Sequence, residues 1–144
     1  MSLNITYDPN NILAKIVRGE LPAVKVFENV EIVALMDIFP QSRGHMLVVP
    51  KRSTAVNLLE EQPSTLQALI VEAQRIARAA VKALKPDGVR IAQFNGAPAG
   101  QTIFHPHFHI IPVYEGETLA RHGGGKAETS ELEATAAQIR AALA

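Results

Sequence analysis

Between Ser64 and Leu84 the apolar residues Leu66, Leu69, Ile70, Ala73, Ile76, Ala77, Ala80, Val81 and Leu84 recur with the 3.6-residue period of an α-helix. Ser64 and Gln67 have the spacing of a capping box, and "KPDG" ends the segment. A helix this long with one apolar stripe must lay that stripe on something. The rest of the chain offers strands. "AVKVFEN", "EIVALMDIF" and "GHMLVVPK" are rich in Val, Ile, Leu and Phe and are separated by Glu28-Asn29 and "PQSRG", which predicts an antiparallel meander. "VRIAQFN" and "IFHPHFHIIPVY", joined by "GAPAGQ", predict two more strands. "NNILAKIVRG" reads as a short amphipathic helix on Ile12, Leu13, Ile16 and Val17 with an Asn cap, and "ELEATAAQIRAALA" as a last helix capped by Ser130 with Glu133. The predicted fold class is α+β: a mostly antiparallel five-stranded sheet with the long helix packed on it, a short N-terminal helix and a C-terminal helix. The other face is then free to carry a site or a partner.

At 144 residues the chain is expected to be one domain, 1–144, able to bury a core without staples. Its longest apolar runs are broken well short of the ~18 residues that a membrane helix needs, and the start, "MSLNITYDPNN", has no basic and apolar leader. The expectation is a cytoplasmic protein without a membrane partner. Fourteen basic and fourteen acidic residues cancel, so a nucleic acid partner held by counterion release is not expected. With no cysteine, a metal would have to use His, Asp or Glu.

Three of five histidines fall in "FHPHFHIIP", at His105, His107 and His109. In a strand these share one face, with neighbours ~7 Å apart and the outer pair ~13 Å apart. Two of them can pinch one metal, but three on a straight strand cannot all lie ~2 Å from it. A cage would need His45, Asp37 or His122, which show no ligand spacing, so a metal site ranks second. Scattered solvated histidines are the bland alternative. A catalytic row is favoured: a neutral imidazole as nucleophile beside imidazoles that hold its tautomer or bind an anion. The loop "NGAPAGQT" adds Asn95, Gln101, Thr102 and the backbone N–H groups of Gly100 and Gln101, which suit a phosphate.

"HPHFHII" resembles the His-x-His-x-His-x-x signature of the histidine triad nucleotide-binding proteins, Hint-like branch. The resemblance extends through "NILAKIVRGELPAVKVFE" and "ALMDIFPQSRGHMLVVPK", covering residues 10–113 and leaving 114–144 as a C-terminal extension. It implies a homodimeric α+β protein that binds a purine nucleoside monophosphate moiety and needs no cofactor. It further implies that His107 attacks the α-phosphorus, forming a nucleotidyl-histidine that water hydrolyses. His109 would then bind phosphate oxygens and His105 would support the row. Asn95, Gly100, Gln101 and Thr102 match the phosphate-side loop, with Thr102 where many relatives carry a Ser proposed to assist the leaving group. His45 matches a histidine near the site, and Asp37 is placed to accept two ribose hydroxyls. Ile12, Leu13, Ile16, Leu35, Met36, Ile38 and Leu47 would form the base slot.

Two departures qualify this resemblance. Where many bacterial relatives hold a structural zinc through Cys-x-x-Cys and a histidine, this chain has Asn11, Ala14 and Ser53, leaving only His105 of the set; no structural zinc is expected. Pro106 removes a backbone donor, so its side should face solvent or a bulge. Hydrolysis of a nucleotide phosphoramidate is the expected activity. Dinucleoside polyphosphate hydrolysis, or a nucleotide-binding module with incidental turnover, are the alternatives. Arg121 and His122, beside "GGGK", could reach a leaving-group phosphate, but a solvated loop is preferred.

Overall fold

The computed structural model describes residues 3–143. In chain order it has α1 (Ile12–Val17), β1 (Lys25–Glu28), β2 (Ile32–Met36), β3 (Met46–Pro50), a 3-10 turn (Leu58–Glu60), α2 (Pro63–Leu84), β4 (Gly88–Ala92), a 3-10 turn (Ala97–Ala99), β5 (Phe108–Val113) and α3 (Thr129–Leu143). The five strands form one antiparallel sheet in the order β1-β2-β3-β5-β4, as the α+β expectation requires.

Local chemistry explains most boundaries. The Asn11 side chain accepts from the Ala14 N–H and starts α1. The expected capping boxes are not used in α2 or α3. Pro63, whose missing N–H costs nothing in a first turn, opens α2 one residue before Ser64, with Gln62 as an N-cap that makes no side-chain bond. Ser130 likewise lies inside the first turn of α3 rather than ahead of it. At its far end α2 stops where Lys85 enters the left-handed region and its N–H returns to Val81 O.

Every residue of β2 and β3 is buried, the mark of strands covered on both faces. Ile32, Ala34, Met36, Met46 and Val48 point to one side, with Leu69, Ala73 and Ile76 of α2 and Leu132, Ala136 and Ile139 of α3. Val33, Leu35, Leu47 and Val49 point to the other, against Leu13 of α1. α1 closes part of this second face, and a cavity opens beside Leu35 and Leu47, in keeping with a face free to carry a site. The stripe read for α2 is also wider than what packs, because Ile70 and Val81 remain exposed beside the edge strand β4. No helix among the described residues is long and apolar enough to cross a membrane.

One tight approach fixes the β2–β3 connection. Gly44 has φ +93°, and a Cβ there would sit 2.5 Å from Leu84 Cδ1 and 3.1 Å from Pro112 Cγ. Gly44→Ala is expected to cost about 2 kcal/mol or more through backbone strain and displacement of Leu84. A urea midpoint matching that of the wild type would contradict this.

Candidate active site

The strand expected from Ile103 begins only at Phe108, so His105, Pro106 and His107 precede the ladder. Pro106 is buried rather than solvent-facing, and outside the ladder its missing donor breaks no strand pairing. His109 alone of the three stands within the strand, opposite Leu47 on β3 and Ala92 on β4. The expected flat row is therefore broken. His107 and His109 meet edge to face with ring centroids 5.0 Å apart. His105 is turned into the protein, where its Nε2–H donates to Pro50 O (2.8 Å) and its Nδ1 accepts from the Tyr7 hydroxyl (2.8 Å). Tyr7 lies 98 residues away in sequence, and no sequence signal pointed to it.

Tracing protons through the cluster assigns each tautomer. The Gln41 N–H donates to His45 Nδ1 (3.0 Å), so His45 carries its proton on Nε2. That proton is given to His109 Nδ1 (2.9 Å), which leaves His109 with a proton on Nε2. The His109 Nε2–H is buried and has no partner among the described residues. His107 is held in the opposite sense: its Nδ1–H donates to the His105 carbonyl (2.7 Å), leaving the Nε2 lone pair available. One ring thus offers a nucleophile and its neighbour a donor.

Burial keeps these rings neutral. Desolvation, reinforced by neighbouring imidazoles, lowers His45 and His107 to about 4 and His109 to about 3; burial lowers His105 also. Asp37 is pushed up by the same desolvation. Its Oδ1 accepts from the Phe39 N–H (2.8 Å) and its Oδ2 lies 3.4 Å from His45 Nε2. Asp37, His45 and His109 bring ligand atoms within 4.8 Å of one another. They are the metal-capable set among the described residues, but a cation there must displace the proton that links the two rings.

His107 and His109 open onto a cavity of about 470 Å³. Ile12, Leu13, Ile16, Leu35, Met36, Ile38 and Leu47, all read as a base slot, line its apolar wall, and Asp37 and Thr102 are also on it. Leu13 and Leu47 form a buried floor, whereas Ile12 and Ile38 are about half exposed at the mouth. His45 is not on the cavity wall but stands behind two residues that are, His109 and Asp37.

The loop residues Asn95, Gly100 and Gln101 are not on the cavity wall. Asn95 exchanges hydrogen bonds with the Gln93 amide and accepts from the Leu58 N–H. The Gln101 side chain accepts from the Gly96 N–H and donates to Val56 O and Ile103 O. The two backbone N–H groups expected to face a phosphate are turned inward: Gly100 N–H bonds to Ala97 O and Gln101 N–H to Gly96 O. A short loop that reverses with φ +92° at Gly96 and +111° at Gly100 has to close on itself.

His122, read as part of a solvated loop, instead lines the cavity, with its ring 5.3 Å from His109 and 6.4 Å from Phe94. The tail that carries it had only the glycines of "HGGGK" as a signal.

Residues 18–116 match the family described as HIT domain. A HIT-like protein of Mycobacterium tuberculosis, uncharacterized, is 39% identical over 134 residues, 92% of each chain. An adenylylsulfatase of Arabidopsis thaliana is 38% identical over 117 residues, 77% of this chain and 59% of its own length. Among solved structures, a Hit-like protein from Bartonella henselae, crystallised with an unknown ligand, superposes with a TM-score of 0.91 at 46% identity, covering 96% of this chain and 99% of its own. A zinc-bound histidine triad family protein from Mycobacterium smegmatis gives 0.82 at 36% identity, covering 93% of both.

Proposed function

Because the chain belongs to the HIT domain family, we propose that it is a nucleotide-binding hydrolase that cleaves a purine nucleoside 5′-phosphoramidate, or a related nucleoside phosphate derivative, at the α-phosphorus. The observation that carries this is the tautomer of His107: with Nδ1–H held by a carbonyl, the Nε2 lone pair belongs to a neutral ring beside a cavity of suitable size.

In the first step Nε2 attacks phosphorus, an N–P bond forms, and the bond to the leaving group breaks. The leaving amine departs with a proton taken from solvent water and relayed through the Thr102 hydroxyl, which ends the step unchanged. The His105 carbonyl, already accepting from Nδ1–H, stabilises the positive charge that develops on the His107 ring. His109 donates its free Nε2–H to a non-bridging oxygen, and the His45 relay keeps that proton on Nε2. Water then attacks the nucleotidyl-histidine, releases the monophosphate and restores the neutral ring. Asp37 accepts ribose hydroxyls, and Ile12, Ile16 and Leu47 contact the base. The relative named as an adenylylsulfatase favours an adenylyl group as the part recognised. Asn95, Gly100 and Gln101 serve the site by holding the loop that ends at Thr102, and His105 serves it by holding His107.

Turnover of adenosine 5′-phosphoramidate and of a diadenosine polyphosphate by metal-free protein, with mass spectrometry of the quenched enzyme, tests the reading. Phosphoramidate cleavage with a nucleotidyl adduct supports it. Cleavage only of the polyphosphate would move the substrate class, and nucleotide binding without any cleavage would leave a binding module. For the ribose contact, Asp37→Ala is expected to weaken a ribonucleotide roughly tenfold and hardly affect its 2′-deoxy analogue. Equal losses would remove Asp37 from that role.

A second copy of the chain is proposed to pair along β4. This edge strand has exposed Ile91, and an apolar groove between it and α2 is bordered by Ile70 and Val81. Ile91→Glu combined with Val81→Glu is expected to convert a dimer to monomer in sedimentation. Unchanged sedimentation of the variant, or a monomeric wild type, would count against this surface.

A further inference from the structure

The run "RHGGGK", Arg121 to Lys126, belongs to no helix or strand, yet it is pinned at both ends. On one side the Ala120 N–H donates to Gln41 O (2.8 Å) and the Gln41 side-chain amide donates to Ala120 O (3.0 Å). On the other, the Ala127 N–H donates to Ile38 O (2.9 Å). Between these pins the Gly124 N–H closes on Arg121 O (3.0 Å), making a turn with His122 and Gly123 at its centre. Gly123 has φ +70°, and a Cβ on Gly124 would lie 2.9 Å from the same Arg121 carbonyl. The glycines are thus what allows the turn to close.

The closed turn sets the His122 ring nearly perpendicular to His109, in the wall that also holds His107 and Thr102. The unpartnered donor of that wall is His109 Nε2–H. An anionic oxygen that satisfies it is brought beside the neighbouring imidazole of His122. Gln41 ties the two together: its side chain holds the strap, and its backbone N–H sets the His45 tautomer that leaves His109 as a donor.

We propose that His122 is a further phosphate-contacting residue, an imidazole donor presented to the bound nucleotide by the C-terminal strap alongside His109. The proposal rests on the nucleotide-hydrolase reading and adds a specificity-determining side chain to that site. It also gives a purpose to the tail's glycine run, which the sheet and helices do not require.

Calorimetric titration with AMP and with adenosine separates a phosphate contact from a structural role. His122→Ala is expected to weaken AMP about tenfold and to leave adenosine unchanged. Gly124→Ala, which prevents the turn from closing, should shift the two ligands in the same way, whereas Arg121→Ala, exposed on the same turn, should shift neither. His122→Gln, which restores an N–H donor, should recover part of the AMP affinity. Equal losses of AMP and adenosine in His122→Ala would mean that the strap only shapes the wall, and would overturn the proposal. So would an undiminished AMP preference in that variant, with the nucleotide reading left intact. A wild-type protein that binds AMP no better than adenosine would overturn both.

Discussion

His107→Ala is expected to lower phosphoramidate turnover by at least ~10³-fold, while AMP affinity stays within about tenfold of wild type. The asymmetry follows from the roles in the cavity. On the proposed mechanism the neutral His107 ring supplies the attacking lone pair, and neither His109 nor His105 is arranged to replace it. His109 presents a proton to the cavity rather than a lone pair, and both ring nitrogens of His105 are engaged, with Pro50 O and Tyr7. Binding, by contrast, is expected to be distributed over the apolar wall, Asp37 and the His109 donor, all of which face the same cavity. The quenched variant should also show no nucleotidyl adduct by mass spectrometry. Turnover within tenfold of wild type would reassign the nucleophile, and an adduct mapped to another residue would identify its replacement.

Acid is expected to unfold this protein well before its carboxylates are fully protonated. An unfolded histidine takes up its proton near pH 6.5, whereas His45 and His107 are held down at about 4 and His109 at about 3. Between those values the unfolded chain binds protons that the folded site refuses, so stability rises with pH in that window. The full stability is present above pH 7 and declines as pH falls from about 6.5 toward 4. The loss is on the order of 3 kcal/mol for a single histidine shifted from 6.5 to about 4, a large part of a typical domain's total. Asp37 acts in the opposite sense, because its raised carboxyl takes up a proton more readily when folded, but it is one group against four lowered imidazoles. Urea unfolding at pH 7.5, 6 and 5 measures this directly. Equal free energies at the three values would contradict the neutral, buried assignment, and His107→Gln should flatten the dependence by removing one titrating ring.

The same cluster shows how far the sequence could be read. The spacing of Asn11 ahead of "ILAKIV" located α1 and its cap, and apolar periodicity located α2 to within a residue of its start. Both signals are local, since a helix is closed by bonds within a few residues of itself. The capping boxes failed for a reason equally local: Pro63 opens α2 earlier than Ser64, and the spacing of Ser64 and Gln67 does not state which residue is first. The alternating histidines suggested one flat face. Alternation implies a common face only where the backbone is extended and paired, and the ladder starts at Phe108.

What the sequence determined by itself was therefore the set of elements, the α+β class and the histidine-rich segment that reaches the cavity, because residue spacing encodes which face of a helix or strand is apolar. The apolar cavity wall was legible too, through the resemblance to a known family. Tertiary structure alone decided the proton arrangement. Gln41 sets His45, His45 sets His109, the His105 carbonyl sets His107, and Tyr7 with Pro50 occupies His105. It also decided that Asn95 and Gln101 brace a loop rather than open to the cavity, and that the glycine-rich tail returns His122 to the site. The physical reason is the same in each case. A tautomer or a side chain's partner is set by whichever donor or acceptor lies within about 3 Å, and for these groups the partner often comes from a part of the chain tens of residues away.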